Sequence, residues 1–317
     1  MAEYSFLLET VEVRAVRRVS PSFVRVELGA DGLADLGLDG PWLDTRVKIV
    51  FPGASGVVPT FETGDDWYAR WLALPDEERG CMRTYTVRDV VGEGVDTRMV
   101  IDIVVHDPGE HGDATGPGND WARNATIGDQ VALMAPRRGH AYGGIEWLPG
   151  PGARDLLIVG DETAAPAVYG VLRDLPRDAR GTAYLEVPCS DDVLDDVVGP
   201  EGVEVVWLPR DGRPRGEELR ARVLERLDAT ATAHADAGDL EEDPDEMPWE
   251  TPVYSASGEE VGGEAPADGP FAGLYAWIAG ESRVVTGLRR ALVKDLGVDR
   301  QQVAFMGYWR EGVAMKA

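Results

Sequence analysis

Arg83 and Tyr85 stand two positions apart in the run Cys81-Met82-Arg83-Thr84-Tyr85-Thr86-Val87-Arg88. The run is rich in β-formers and reads as a strand. Side chains alternate along a strand, so Arg83 and Tyr85 share one face and Thr84 and Thr86 the other. A guanidinium grips phosphate with a two-pronged fork. A phenol offers a ring to stack on and a hydroxyl to donate. Such a pair suits a ligand with an anionic part and a flat ring; by itself it also suits an ordinary strand with a solvated arginine. A second element points the same way. Gly116-Pro117-Gly118-Asn119 leads into Asp120-Trp121-Ala122-Arg123-Asn124-Ala125, which reads as a helix capped by Asn119. The glycines permit close approach to backbone, and a helix N-terminus suits a diphosphate. Trp121 reads most simply as a core anchor.

These elements must be held by a scaffold, and the first half of the chain supplies short strands. Thr10 to Val16 and Phe23 to Leu28 alternate apolar and polar. Arg46 to Phe51, the Arg83 strand, Met99 to His106 and Gln130 to Ala135 complete six. Turn residues separate them, which predicts an antiparallel six-stranded β-barrel over residues 1–149. From residue 150 strand and helix alternate. Asp155 to Gly160, Ala183 to Val187, Val203 to Leu208, Leu274 to Ala279 and Gln302 to Tyr308 read as strands. Helices are expected from Thr163, as N-cap, to Asp174, from Glu217 to Leu227, and from Ser282 to Leu296. The last carries Val285, Leu288, Leu292 and Leu296 on one face. This predicts an α/β doubly wound parallel-sheet domain over 150–317, with ligands beyond the carboxyl ends of the strands. Those ends include Asp161-Glu162-Thr163-Ala164, Gly280-Glu281 and Tyr308-Trp309. Residues 228–270 break the alternation. They hold 13 Asp or Glu and no Lys or Arg, and read as an acidic, irregular insertion.

The totals exclude several classes. A net charge of −26 argues against nucleic acid and against an anionic membrane surface. No apolar run approaches the roughly 20 residues of a membrane span. The N-terminus lacks the features of a signal peptide, so a cytoplasmic location is expected. Two cysteines, Cys81 and Cys189, are too few for a four-cysteine metal site, and no metal site is expected. A monomer is expected.

In order and spacing, the chain resembles the siderophore-interacting proteins, flavin-dependent ferric-siderophore reductases of the ferredoxin-reductase superfamily. The resemblance covers nearly the whole length. It rests on Arg83-Thr84-Tyr85-Thr86, on His106 followed by Gly116-Pro117 and Trp121-Ala122, on Gly128-Asp129, on Pro136-Arg137-Arg138-Gly139, on Gly160 to Ala167, on Trp277 to Glu281 and on Gly307 to Gly312. It implies an FAD-binding first domain and an NAD(P)H-binding second one. Arg83 would hold the FAD diphosphate, Tyr85 would lie against the isoalloxazine and Thr86 would bond it. Thr84 and His106 belong to the same cofactor motifs. Gly116, Pro117, Gly118, Asn119 and Trp121 would form the diphosphate turn. Asp161, Glu162, Thr163, Ala164, Gly280 and Glu281 would line the nicotinamide nucleotide cleft, with Tyr308 and Trp309 near the flavin. The chain departs from the pattern at Gly118-Asn119, where the family often has Ser or Thr. The stretch between His106 and Gly116 and the acidic insertion are longer than usual.

The implied function is reduction of a ferric siderophore by NADPH or NADH through FAD, with iron release. A reductase of the same build acting on a protein or quinone, and a non-catalytic siderophore carrier, are the alternatives. No catalytic residue beyond the flavin is expected. An anionic siderophore meeting an acidic protein needs a local positive field, for which Lys48, Arg138 and Arg310 are the candidates. Arg210 and Arg213, past the third strand of the second half, could meet a 2′-phosphate.

Overall fold

The computed structural model describes residues 4–53, 55–60, 64, 66–106, 116–227, 248–255, 259–260 and 265–313. The chain divides into two compact units, with the boundary between Ile145 and Glu146.

Among the described residues the first unit is an antiparallel sheet of seven strands, not six. They are β1 (Phe6–Arg18), β2 (Phe23–Gly29), β3 (Arg46–Phe51), β4 (Cys81–Thr86), β5 (Asp89–Val91), β6 (Arg98–Val104) and β7 (Gln130–Pro136). Their order is β4-β3-β7-β1-β2-β6-β5. The expected fourth strand, Cys81 to Arg88, splits in two. The Val87 N–H donates to Thr45 O beside β3, and the Arg88 N–H donates to Val100 O in β6. One segment therefore supplies both edge strands of the sheet, β4 and β5. Period-two patterning sets the core: Val11 and Val13, Val24, Val26 and Leu28, Val47, Ile49 and Phe51, Ile101 and Ile103, and Val131 and Leu133 are all buried in one cluster. The opposite face of β3 and β7 is covered at Val50 and Ala132 by Trp71, from the short helix α1 (Trp67–Leu72). A second short helix, α2 (Asp76–Arg79), precedes β4, and α3 (Pro117–Asn124) lies between β6 and β7.

The second unit is a six-stranded mixed sheet. Its strands are β8 (Asp155–Gly160), β9 (Gly181–Val187), β10 (Val203–Pro209), β11 (Trp249–Glu250), β12 (Leu274–Glu281) and β13 (Val303–Trp309). The order is β10-β9-β8-β12-β13-β11. The first five pair in parallel, as the strand–helix alternation requires. β11 pairs antiparallel on the β13 edge, so the sheet is not wholly parallel. Its helices are α4 (Ala165–Asp174), α5 (Glu217–Arg226) and α6 (Ser282–Arg289). After α6 the coil widens into a π-turn over Arg290–Asp295. Val285, Leu288 and Leu292 are buried as their spacing predicts. β12 is buried at every position, as expected for a strand covered on both faces.

β11 falls inside the stretch read as irregular insertion. Trp249 stacks on Tyr308 with centroids 5.8 Å apart, and Glu250 takes a two-pronged bond from Arg289 at 2.9 and 3.0 Å. That end of the stretch is docked, because an apolar ring and a paired carboxylate stand at its two positions. The expectations for residues 228–247 and for residues 107–115 lie outside the described residues. No helix among the described residues is long and apolar enough to cross a membrane.

Candidate functional site

In the first unit the site is built on β4. Register places Arg83 opposite Ile49 and Tyr85 opposite Val47, so both lie on the core side of the sheet. Tyr85 packs against the core, edge-on to Phe51 with centroids 5.9 Å apart. Burial pushes its phenol well up, so it stays a neutral donor. The Arg83 guanidinium donates to Met82 O at 2.7 Å. On the opposite face, Lys48 donates to the Thr84 hydroxyl at 2.7 Å. Thr86 is buried across from Arg46. The partition of faces is the one the alternation predicts.

The neighbouring helix begins earlier than expected. Proline pre-sets the first helical φ, and α3 starts at Pro117 with Gly116 in the cap position. Asn119 is therefore inside the first turn and does not cap it. Its carboxamide oxygen accepts the His106 N–H at 2.6 Å, and Arg123 donates to His106 O at 3.0 Å. Both backbone groups of His106 are thus held by α3, which fixes the end of β6 to the helix. Gly118 brings α3 onto β4: a Cβ there would stand 2.0 Å from the Tyr85 hydroxyl. Trp121 packs on Phe51 at 5.1 Å between centroids, as a core anchor should. Arg83, Tyr85 and the start of α3 form one constellation on the core side of β4, with Thr86 on the opposite face. It brings together a guanidinium, a neutral phenol and a helix start that no side chain caps.

The basic candidates for an acceptor are not gathered in the first unit. Burial, with Arg46 beside it, holds Lys48 below the ordinary ammonium range. Arg138 instead braces a turn, donating to Leu36 O at 3.2 Å and crowding Gly37. Arg310 belongs to the second unit, where its carbonyl accepts the Val313 N–H at 3.2 Å.

In the second unit Asp161 is the hub at the end of β8. One carboxylate oxygen accepts from Thr163 N and Oγ1 at 2.8 and 2.5 Å and from Ala164 N at 3.3 Å. The other accepts from Glu281 N and from Trp309 Nε1, both at 2.8 Å. Asp161 thus closes the turn that leads into α4; the cap position is Ala164, not Thr163, and no side chain caps the helix. Burial and the adjacent Glu162 push the Asp161 carboxyl up, while Arg215 and the Thr163 and Trp309 donors pull it back. Gly280, at φ 142°, has to be glycine, since a Cβ would come 2.7 Å from the Asp161 carboxyl carbon. Glu281 caps α6, accepting from Arg283 N and Val284 N at 2.8 and 3.1 Å. Asp161, Gly280 and Glu281 border one narrow cleft with Glu186, Arg215 and Val284; it has room for no more than a water, and its inner wall is the apolar core at Leu219, Ile278 and Val285. Tyr308 is covered on its ring by Trp249 and meets Trp277 edge-on.

Sequence reasoning missed the charge network behind this cleft. Arg210 donates to Glu162 at 3.0 and 3.3 Å and to Glu186 at 3.2 Å. Arg215 donates to Glu162 at 2.9 Å and lies 4.5 Å over the Trp309 ring. Both glutamates are buried, and Glu186 also accepts the Gly216 N–H at 2.9 Å. Burial alone would lower Arg210, but Glu162 and Glu186 outweigh it and hold the guanidinium charged. Arg210 is thus a buried ion-pair partner and not a loop arginine. Arg213 is exposed and paired with Glu218. A glutamate inside the apolar strand Ala183 to Val187 was the available signal, because a buried carboxylate demands a cation.

Comparison with known proteins agrees with this build. Residues 12–140 match the siderophore-interacting FAD-binding domain, and residues 153–312 match the siderophore-interacting protein family. The ferric vibriobactin reductase ViuB of Vibrio cholerae is 26% identical over 298 residues, 93% of this chain and 86% of that protein. An uncharacterised protein of Mycobacterium tuberculosis is 38% identical over 209 residues, 65% of this chain, and the match spans 66% of that relative's length. The crystal structure of a siderophore utilization protein from T. fusca superposes with a TM-score of 0.68 at 29% identity, covering 99% of this chain and 97% of that one. The chain belongs to the siderophore-interacting protein family.

Proposed function

We propose that the chain is an FAD-dependent oxidoreductase that takes electrons from a nicotinamide dinucleotide and reduces ferric siderophores, releasing the iron. The observation that carries this reading is the meeting of β4 and α3 at Tyr85 and Gly118, with Arg83 beside it. When bound, FAD would accept a hydride and pass electrons singly to ferric iron. The protein's part is to bind and orient. Arg83 supplies the charge for the diphosphate and Tyr85 presents a neutral hydroxyl. Thr84 and Thr86 add hydroxyls on the same strand, and the Gly116 backbone, open on its side-chain face, admits close approach. In the second unit the surface at the carboxyl ends of β8 and β12, around Asp161, Gly280 and Glu281, is the proposed site of the nicotinamide nucleotide. Lys48 is the proposed anchor for an anionic ferric complex. The ViuB relative, a reductase of ferric vibriobactin by name, supports the choice of substrate class.

The visible spectrum of the purified protein tests the assignment of FAD. The protein should carry flavin, and Arg83→Ala should stay folded and lose most of it. A charge-assisted diphosphate contact is worth about 1.5–3 kcal/mol. Full retention of flavin in that variant removes Arg83 from the site.

A further inference from the structure

Coenzyme choice is written at the ends of β9 and β10. In a sheet of this kind a dinucleotide crosses the carboxyl ends of the strands. A carboxylate past the second strand bonds the ribose 2′-hydroxyl of NADH, whereas an arginine there accommodates the 2′-phosphate of NADPH. The second strand of this sheet in chain order is β9, and it runs out into Pro188-Cys189-Ser190-Asp191-Asp192. The end of β10 is zipped to it. The Arg210 N–H donates to Val187 O at 2.8 Å and the Asp211 N–H to Pro188 O at 3.1 Å. Asp211 and Gly212 both have positive φ, 47° and 88°. That turn brings the Asp211 carboxylate back onto Ser190, accepting from its N–H at 3.0 Å and its hydroxyl at 2.7 Å. A carboxylate has about four acceptor positions, so Asp211 keeps capacity for a ribose hydroxyl. Asp191 is exposed beside Ser190, and Asp192 is buried, accepting the Cys189 thiol at 3.2 Å.

The arginines of the same region point elsewhere. Arg210 is 8% exposed and is divided between Glu162 and Glu186. Arg215 is equally buried on Glu162 and stacked on Trp309. Arg213 pairs with Glu218 and donates to Pro209 O at 2.6 Å. Pulling Arg210 out to a phosphate would take the cation from buried Glu186 and one of the cations from buried Glu162, an unfavourable exchange. A 2′-phosphate would instead meet Asp191 and Asp211, and like charges at close range reject a ligand.

We infer that the donor site selects NADH over NADPH, with Asp191 and Asp211 beside the adenosine ribose and Arg210 withheld by Glu162 and Glu186. The inference rests on the second unit being the nucleotide site. Calorimetric titration of the purified flavoprotein with NAD+, NADP+, adenosine 5′-monophosphate and adenosine 2′,5′-bisphosphate tests it without turnover. NAD+ should bind at least about tenfold tighter than NADP+, and the monophosphate should lead the bisphosphate by a similar ratio. The double variant Asp191→Asn, Asp211→Asn should narrow the gap to about threefold or less. Asparagine tolerates the positive φ at 211, and circular dichroism checks the fold. Equal or tighter binding of NADP+ overturns the selection while leaving the nucleotide site in place. A gap unchanged in the double variant overturns the role of the two aspartates. Binding of none of the four overturns the nucleotide site itself, and the selection with it.

Discussion

Replacing Gly118 by alanine tests whether α3 and β4 meet as described. The new methyl would stand 2.0 Å from the Tyr85 hydroxyl oxygen, 3.3 Å from Tyr85 Cζ and 3.2 Å from Phe51 Cε2. The phenol oxygen would have to retreat by about 1.4 Å, from 2.0 Å to the 3.4 Å of ordinary contact. Tyr85 is packed against the core and held edge-on by Phe51, so the retreat is resisted. Overpacking of this kind costs about 1–3 kcal/mol. Against it stands the helix preference of alanine over glycine, about 0.8–1 kcal/mol. The single variant should therefore lose roughly 0–2 kcal/mol. In a Tyr85→Phe background the oxygen is gone and the helix gain remains. The two changes should couple by about 1–3 kcal/mol. Urea unfolding of the four proteins reads the coupling, and flavin absorbance reads the site: Gly118→Ala should lose flavin and the double variant should regain part of it. If Gly118→Ala is equally stabilising in both backgrounds, the tyrosine and the glycine do not touch and the constellation is wrong.

Two further outcomes follow from the charges. Glu162→Gln removes the shared partner of Arg210 and Arg215, and breaking a buried pair in this way costs about 3–5 kcal/mol; a loss below about 1 kcal/mol in thermal unfolding would mean the network is not closed. Lys48 is held below its ordinary range by burial and by Arg46. Its charge therefore costs stability at low pH, and this cost disappears as pH rises through the window between its lowered value and that of an unfolded lysine. The cation available to an anionic ferric complex vanishes over the same rise. Iron reduction should fall with pH before the ordinary lysine range, and Lys48→Met should flatten that limb while flavin reduction by the nucleotide is unchanged. A profile identical in the two proteins removes Lys48 from the acceptor step.

The strands were legible wherever period or burial was strong. Val11 to Val13 and Val24 to Leu28 alternate because one face of that sheet is buried there, and the apolar runs of β8 and β12 carry their own signal. What was not legible is short or non-local. β5 has three residues and β11 two, too few for a period to emerge, and β11 sits in an acidic stretch that composition alone marks as irregular. Asn119 looks like a cap because its side chain can cap, yet Pro117 starts the helix three residues before the expected Asp120. The pairing of Arg83 with Tyr85 could be read from alternation, but the meeting of Tyr85 with Gly118 could not, because it depends on the path of α3 across β4. Arg210 shows the same limit. Its place after a strand suggested a loop cation, and only the fold reveals two buried glutamates waiting for it.

The most direct test of the central claim is an anaerobic cycle on one protein sample. One equivalent of NADH per flavin is added to the purified flavoprotein, then a ferric catecholate or hydroxamate siderophore with a ferrous chelator present. The flavin absorbance should bleach with the nucleotide and return with the ferric complex. About two ferrous ions should appear per flavin, because a hydride carries two electrons and each iron takes one. Flavin that bleaches and is then reoxidised by no ferric complex would contradict the assignment of a ferric siderophore as electron acceptor.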